Sequence, residues 1–476
     1  MSRLLALIVL ATPGIILAAD WPHWRGPART GITDEDSGWT GDSWLAEKPA
    51  WTADVGEGAS SPLVVGDRVF ALGWEGGKDV VRCLNARDGK SVWSVNYKCP
   101  RYGRFHMGDE GLYSGPSSTP EYDPAAKRLY TLSIDGDLNC WDASADGKNV
   151  WKRNLYDDFK AGRRPHLGRG QQRDYGYTSS VQLHGNWLLV EVGSTQRGSV
   201  IAFDKNSGKE LWASELKDEA GHTGGMSPMT VEGVPCVALL TQRNLAVIRL
   251  DKGQEGKTVA TYPWVTDFAN TIAGPAVEGD SVAITASYNH NAMCKVQFTL
   301  GGAKEVWRKK FPSKVCTPVI HEGNVYVAWN RVRCIDWKTG DLRWEGGTVG
   351  DAGSCIVTRD NRLVVYGLNG KLMLIEGAKR SPKEYTELAV RDKLFSSAAW
   401  PHVALAGGRI YCRDREGHLA AFSTGSDSRS WQEPLFVEEA GSEHGLLQGV
   451  GRIHRRLRAD FQDRPVAEPQ EQQVIE

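Results

Sequence analysis

Ten residues in this 476-residue chain have types and spacings that could do chemistry. All of them sit in irregular stretches. "KCPRYGRFHMGDEGLYSG" (98–115) carries Arg104, His106 and Asp109, and "YDDFKAGRRPHLGRGQQRDYGY" (156–177) carries Arg173, Asp174 and Tyr175. "PWVTDFANTI" (263–272) carries Asp267 and Asn270, and "SYNHNA" (287–292) carries Asn289 and His290. Asp267 and Asn270 could present two oxygens to a hard cation such as Ca²⁺, or could hold backbone amides in a loop. His106 is of the right type for a general base, but the sequence supplies no fixed partner for it. Arginines interleaved with tyrosines suit contact with a protein or a glycan. Each residue also has a plainer role, such as solvating a loop or capping a turn.

Several reaction classes lose their signatures. Nine cysteines are present, but no CxxC, no CxxCH and no adjacent Cys-Cys pair. A thiol-redox centre, a covalent haem and a cysteine-ligated metal therefore have no motif. Carboxylates are abundant, but none stands in a distinctive pair. The formal charge is −1, which argues against nucleic acid or an anionic membrane surface as the partner.

The elements that must position these loops come from an internal repeat. "RCLNARDGKSVW" ends at Trp93, "NCWDASADGKNVW" at Trp151, "IAFDKNSGKELW" at Trp212 and "RCIDWKTGDLRW" at Trp344. Weaker copies end at Trp307, Tyr385 and Trp431, and "KPAWTADVG" places Trp51 in the same position. The frame is a short β run, an Asp or Asn, a Gly turn, then Trp. Upstream of each frame lies a hairpin phrase such as "SSPLVVGDRVFAL" at Ser60 or "CTPVIHEGNVYVA" at Cys316, with alternating apolar residues around a Gly turn. Four strands per period of about 40 residues is the signature of a propeller blade. The reading is all-β: an eight-bladed β-propeller of four-stranded blades over 60–431. Trp51, Trp93, Trp151, Trp212, Trp307, Trp344 and Trp431 are expected to dock neighbouring blades. Cys83, Cys140 and Cys334 share one third-strand position, filled by Ala202 in another copy, and read as small buried residues too far apart to bridge.

The ends read differently. Residues 1–19, "MSRLLALIVLATPGIILAA", have the make-up of a secretory signal peptide, so export to the periplasm, cell surface or medium is expected, with no membrane span after cleavage. Residues 20–59 contain the Trp-rich "DWPHWRGP" and the strand around Trp51, expected to brace and close the ring. After Trp431 the pattern stops; 432–476 is expected to be a tail, disordered at its end. A monomer is expected.

The D-x-x-x-G-K-x-x-W frame resembles the tryptophan-docking motif of quinoprotein-type (PQQ-like) β-propellers. "DWPHWRGP", "DYGYTSSV" (174–181) and "WVTDFANTIAGPAV" (264–277) are similar to segments of exported members of that family. The resemblance implies two kinds of relative. One is a dehydrogenase of alcohols or sugars that carries pyrroloquinoline quinone (PQQ) and calcium. The other is an outer-membrane assembly scaffold with no cofactor. In the first kind Glu and Asn oxygens hold calcium, an Asp acts as base and a Trp stacks on the quinone. No residue here maps onto those roles by motif. The expectation is therefore a non-catalytic propeller with no cofactor, binding a protein or glycan on its loop-rich face; the alternative is a PQQ- and calcium-dependent dehydrogenase with a divergent site.

Overall fold

The computed structural model describes residues 20–102, 115–161, 175–351 and 353–425. Eight antiparallel sheets form the blades of a propeller. The first is built from Leu63–Val65, Arg68–Glu75, Lys78–Asn85 and Ser91–Lys98, in sequence order from the axis outward. Blades two to seven repeat this order. In the sixth, Asn324–Asp336 doubles back at Asn330 (φ 57°), and the Trp337 N–H donates to Gly323 O at 3.0 Å, so it serves as two strands. The eighth blade takes three strands from residues 404–423 and its outermost strand, Trp51–Asp54, from the N-terminal side. Innermost strands touch between the second and third blades, from the fourth through the seventh, and between the eighth and the first, which closes the ring.

The repeated frame explains how blades adhere. In six of the eight blades the outer strand carries the Trp, and it reaches over the next blade. The Nε1 atoms of Trp51, Trp151, Trp307 and Trp344 donate to Ala86, Lys205, Trp337 and Ser381 carbonyls at 2.8–3.1 Å. The turn glycine lies beneath the preceding blade's ring: a Cβ on Gly208 (φ +68°) would stand 2.6 Å from Trp151, and one on Gly147 2.7 Å from Trp93. The frame's Asp binds its own turn, as Asp204 accepts from the Asn206 and Ser207 N–H groups. Because Trp51 holds the docking position of the eighth blade, that role is filled without Trp431, which lies outside the described residues.

A second ring runs close to the axis. The N–H of His402 donates to Ser61 Oγ, that of Ser61 to Thr119 Oγ1, that of Thr119 to Ser180 Oγ and that of Gly274 to Thr317 Oγ1, at 2.8–3.1 Å. These hydroxyls stand at equivalent places in the hairpin phrases and satisfy amides just ahead of the innermost strands, outside any strand pairing. The nine cysteines are all buried and unbridged.

Candidate functional site

One face of the ring carries the connections between blades and the turns between second and third strands. Of the ten candidates, Arg104, His106, Asp109, Arg173 and Asp174 lie outside the described residues. The other five fall on this face, in blades three to five.

Tyr175 stacks on His222, with ring centroids 3.8 Å apart and planes 13° apart. His222 Nδ1 lies 2.9 Å from Asn270 Oδ1, and the His222 N–H donates to Thr271 Oγ1. Asp267 opens a short 3-10 turn, Asp267–Ala269. Its N–H donates to Asn289 Oδ1, while Asn289 Nδ2 donates to Val265 O at 2.9 Å. His290 stacks flat on Trp264 at 3.7 Å and bonds Val265 O through Nε2; burial holds its pKa below the usual imidazole value. Asn270 and Asn289 thus hold the loop from 264 to 271, and the Asn270 oxygen is engaged by a histidine.

His222 was not among the candidates. It lies in "DEAGHTGGMSP", a connection with no catalytic motif. The available signal was the run of glycines beside it, whose use becomes clear at the propeller axis.

The axis is filled by the chain's own N-terminal segment. Trp21 pairs with Val64 of the first blade, and Pro22 O accepts from the Tyr122 N–H of the second. Trp24, 5% exposed, sits against Gly224, Gly225 and Gly274; a Cβ on any of them would stand 2.7–2.8 Å from the indole. The edge of His402 meets the same indole at 5.7 Å. Burial and the charge of Arg25 push the His402 pKa down to about 3, so it is neutral. Arg29 grips Glu121 through both terminal nitrogens, His23 Nδ1 lies 3.1 Å from the same carboxylate, and the Leu183 N–H donates to it at 2.9 Å. Gly31 O accepts from the Val357 N–H of the seventh blade. Glu35 then accepts from the Gly407 and Gly408 N–H groups of the eighth. Asp20 and Glu35 both anchor at turns between first and second strands, so the segment enters and leaves on the face opposite the loops and crosses the axis between.

The axial residues do not fit a planar quinone with calcium. The indole of Trp24 and the backbone of three glycines take the space, and the buried carboxylate of Glu121 beside the segment is saturated by Arg29, His23 and Leu183. Among the described residues, only Asp414, Glu416 and His418 of the eighth blade bring three metal-ligating groups within 4.8 Å. There both Asp414 oxygens already face the N–H and Nδ1 of His418 at 2.9 Å.

Comparison with known proteins agrees with this architecture. The family described as outer membrane protein assembly factor BamB (PQQ_2) matches residues 77–346 and 329–443. A quinohemoprotein alcohol dehydrogenase, ADH-IIG of Pseudomonas putida, is 22% identical over 373 residues, which is 75% of this chain and 43% of that protein. The chain thus spans less than half the length of that curated relative. The crystal structure of BamB from Moraxella catarrhalis superposes with a TM-score of 0.53 at 13% identity, covering 78% of this chain and 98% of that one. A quinohemoprotein alcohol dehydrogenase from Comamonas testosteroni gives 0.60 at 13%, covering 91% and 83%. With its eight docked blades and the family match over most of its length, this chain belongs to the PQQ-like, BamB-type β-propeller family.

Proposed function

We propose that this protein is an exported, non-catalytic binding scaffold that holds a protein or glycan partner on its loop-rich face. The observation that carries the reading is the filled axis: Trp24 is wedged among Gly224, Gly225 and Gly274, where an axial cofactor would need open space. The connections between blades leave the ring on one face, which is the usual arrangement for recognition loops. The likeness to quinoprotein dehydrogenases gives fold, and fold alone does not assign activity.

The test is calorimetric titration of the folded chain with PQQ, with and without Ca²⁺. The scaffold reading expects no saturable heat. Calcium-dependent saturation at micromolar protein would return the dehydrogenase reading, and alcohols and sugars would then be screened with a dye acceptor. For the partner, the intact chain is compared with variants shortened within 98–115 or 156–177, on an array of envelope proteins and of glycans. Retention that survives both shortenings would remove the loop-rich face as the binding surface.

A further inference from the structure

Arg25 carries a buried charge for which the described residues provide no counter-ion. It is 2% exposed. Its Nη2 donates to Thr30 O at 2.8 Å and Pro318 O at 2.6 Å, both neutral carbonyls. The ionisable groups that act on it are Cys316 and Cys355, whose thiols burial pushes up and keeps protonated. The other fully buried arginine, Arg413, also binds carbonyls, of Gly56, Ser60 and Leu72, but has Asp414 beside it. In the axial segment Glu121 answers one of the two arginines, Arg29. Glu121 is thus already taken, and the charge of Arg25 is left over in a desolvated place, an arrangement that is costly unless an anion joins it.

The space for that anion is present. A narrow cleft is lined by Arg25, Arg29 and Thr30 of the axial segment and by Ser227, Ala276 and Ile320 on the inner strands of blades four to six. Because Nη2 is committed to two carbonyls, the Nε–Nη1 side of the Arg25 fork is left to donate. The cleft is narrow, so a compact ion fits and a bulky one such as gluconate does not. We propose that this cleft binds a compact monovalent anion, a halide or a carboxylate, held by Arg25 in the field of Arg29. A single uncompensated charge selects a monoanion over a dianion. Consistent with the excess charge, burial draws the Arg25 pKa down to about 10.

The test uses the full mature chain, purified without halide. Thermal melts are recorded in sodium bromide, sodium formate and sodium gluconate at equal ionic strength, and bromide-soaked crystals are examined for an anomalous peak. Expected is a saturable rise of roughly 1–3 °C in bromide or formate over gluconate, and a bromide peak against the Arg25 guanidinium. A rise in formate alone assigns the site to carboxylates; a rise in both assigns it to small monoanions generally. Arg25→Met should abolish the rise. If that variant does not fold, Ala276→Leu, which fills the cleft and leaves Arg25 in place, should abolish it too. Identical melts in all three salts with no peak at Arg25 overturn the proposal, as does a rise that survives Ala276→Leu.

Discussion

The latch between Arg29 and Glu121 offers a direct test of whether the N-terminal segment holds the ring together. Glu121 is fully buried, and Arg29 is 9% exposed. Burial pushes the Glu121 carboxyl up, but the charge of Arg29 and the bond from His23 outweigh it and hold it below the usual carboxylate range. Glu121→Gln keeps an oxygen for the Leu183 N–H but removes the charge, leaving a buried guanidinium unpaired. Breaking a buried pair in this way costs about 3–5 kcal/mol. Unfolding entropy of about 2.1 cal/mol/K per residue over roughly 400 ordered residues gives about 0.8 kcal/mol per degree, so the melting point should fall by about 4–6 °C. A depressed carboxylate stabilises above its unfolded pKa of about 4.3, and that contribution disappears as pH falls through the lower folded value. The penalty should therefore be complete at pH 7 and shrink below about pH 4. Arg29→Met combined with Glu121→Gln should recover part of the loss, because no buried charge is then left alone. The assays are thermal melts across pH and limited proteolysis followed by N-terminal sequencing, with new cuts expected within 20–37 in the single variant. A Glu121→Gln chain that melts within a degree of wild type and resists cleavage there would refute the idea that this ion pair secures the axial segment.

Three other predictions rest on single side chains. Gly208→Ala adds a Cβ 2.6 Å from the Trp151 ring at a φ of +68°; overpacking and backbone strain together should cost roughly 2–4 kcal/mol in urea unfolding, and a cost under 1 kcal/mol would mean the Trp docking is loose. Asp79 is buried beside Tyr97 and Cys99, and burial, with Asp137 and Asp135 nearby, outweighs their hydrogen bonds and raises its pKa to about 7; its contribution is intact below the unfolded value near 4 and is lost as pH rises through 7, so Asp79→Asn should flatten the decline in melting point between pH 5 and 8, and an unchanged slope would exclude Asp79 as its source. His418 is raised above the usual imidazole value by its bond to Asp414; this contribution is present below about pH 6.5 and lost as pH rises through the folded value, and in an NMR titration Asp414→Asn should bring His418 back toward about 6.5, with no movement counting against the bond.

The architecture was legible because its signal is local and repeated. Each frame encodes its own turn: Asp204 binds the amides that follow it, and Gly208 takes a positive φ. The same few residues recur until the ring closes, and the docking Trp lies in the frame itself. The hydroxyls of Ser61, Thr119, Ser180 and Thr317 were visible as part of a hairpin phrase, but their partners belong to the preceding blade, so their use in an axial belt was not. His222 carried no motif, and its stacking on Tyr175 depends on two connections meeting over the ring.

The N-terminal stretch marks the boundary between the two levels. The sequence alone read "DWPHWRGP" as a non-helical, Trp-rich brace followed by a ring-closing strand near Trp51. Composition and periodicity could go no further, because a segment without period has no face to assign. Only the tertiary structure decided that it crosses the axis, since its partners are Glu121, Pro318 and Val357, 92, 293 and 326 residues away from Arg29, Arg25 and Gly31. Contacts of that separation exist only once eight independently encoded blades have closed around a common line, and the charge left on Arg25 exists only there.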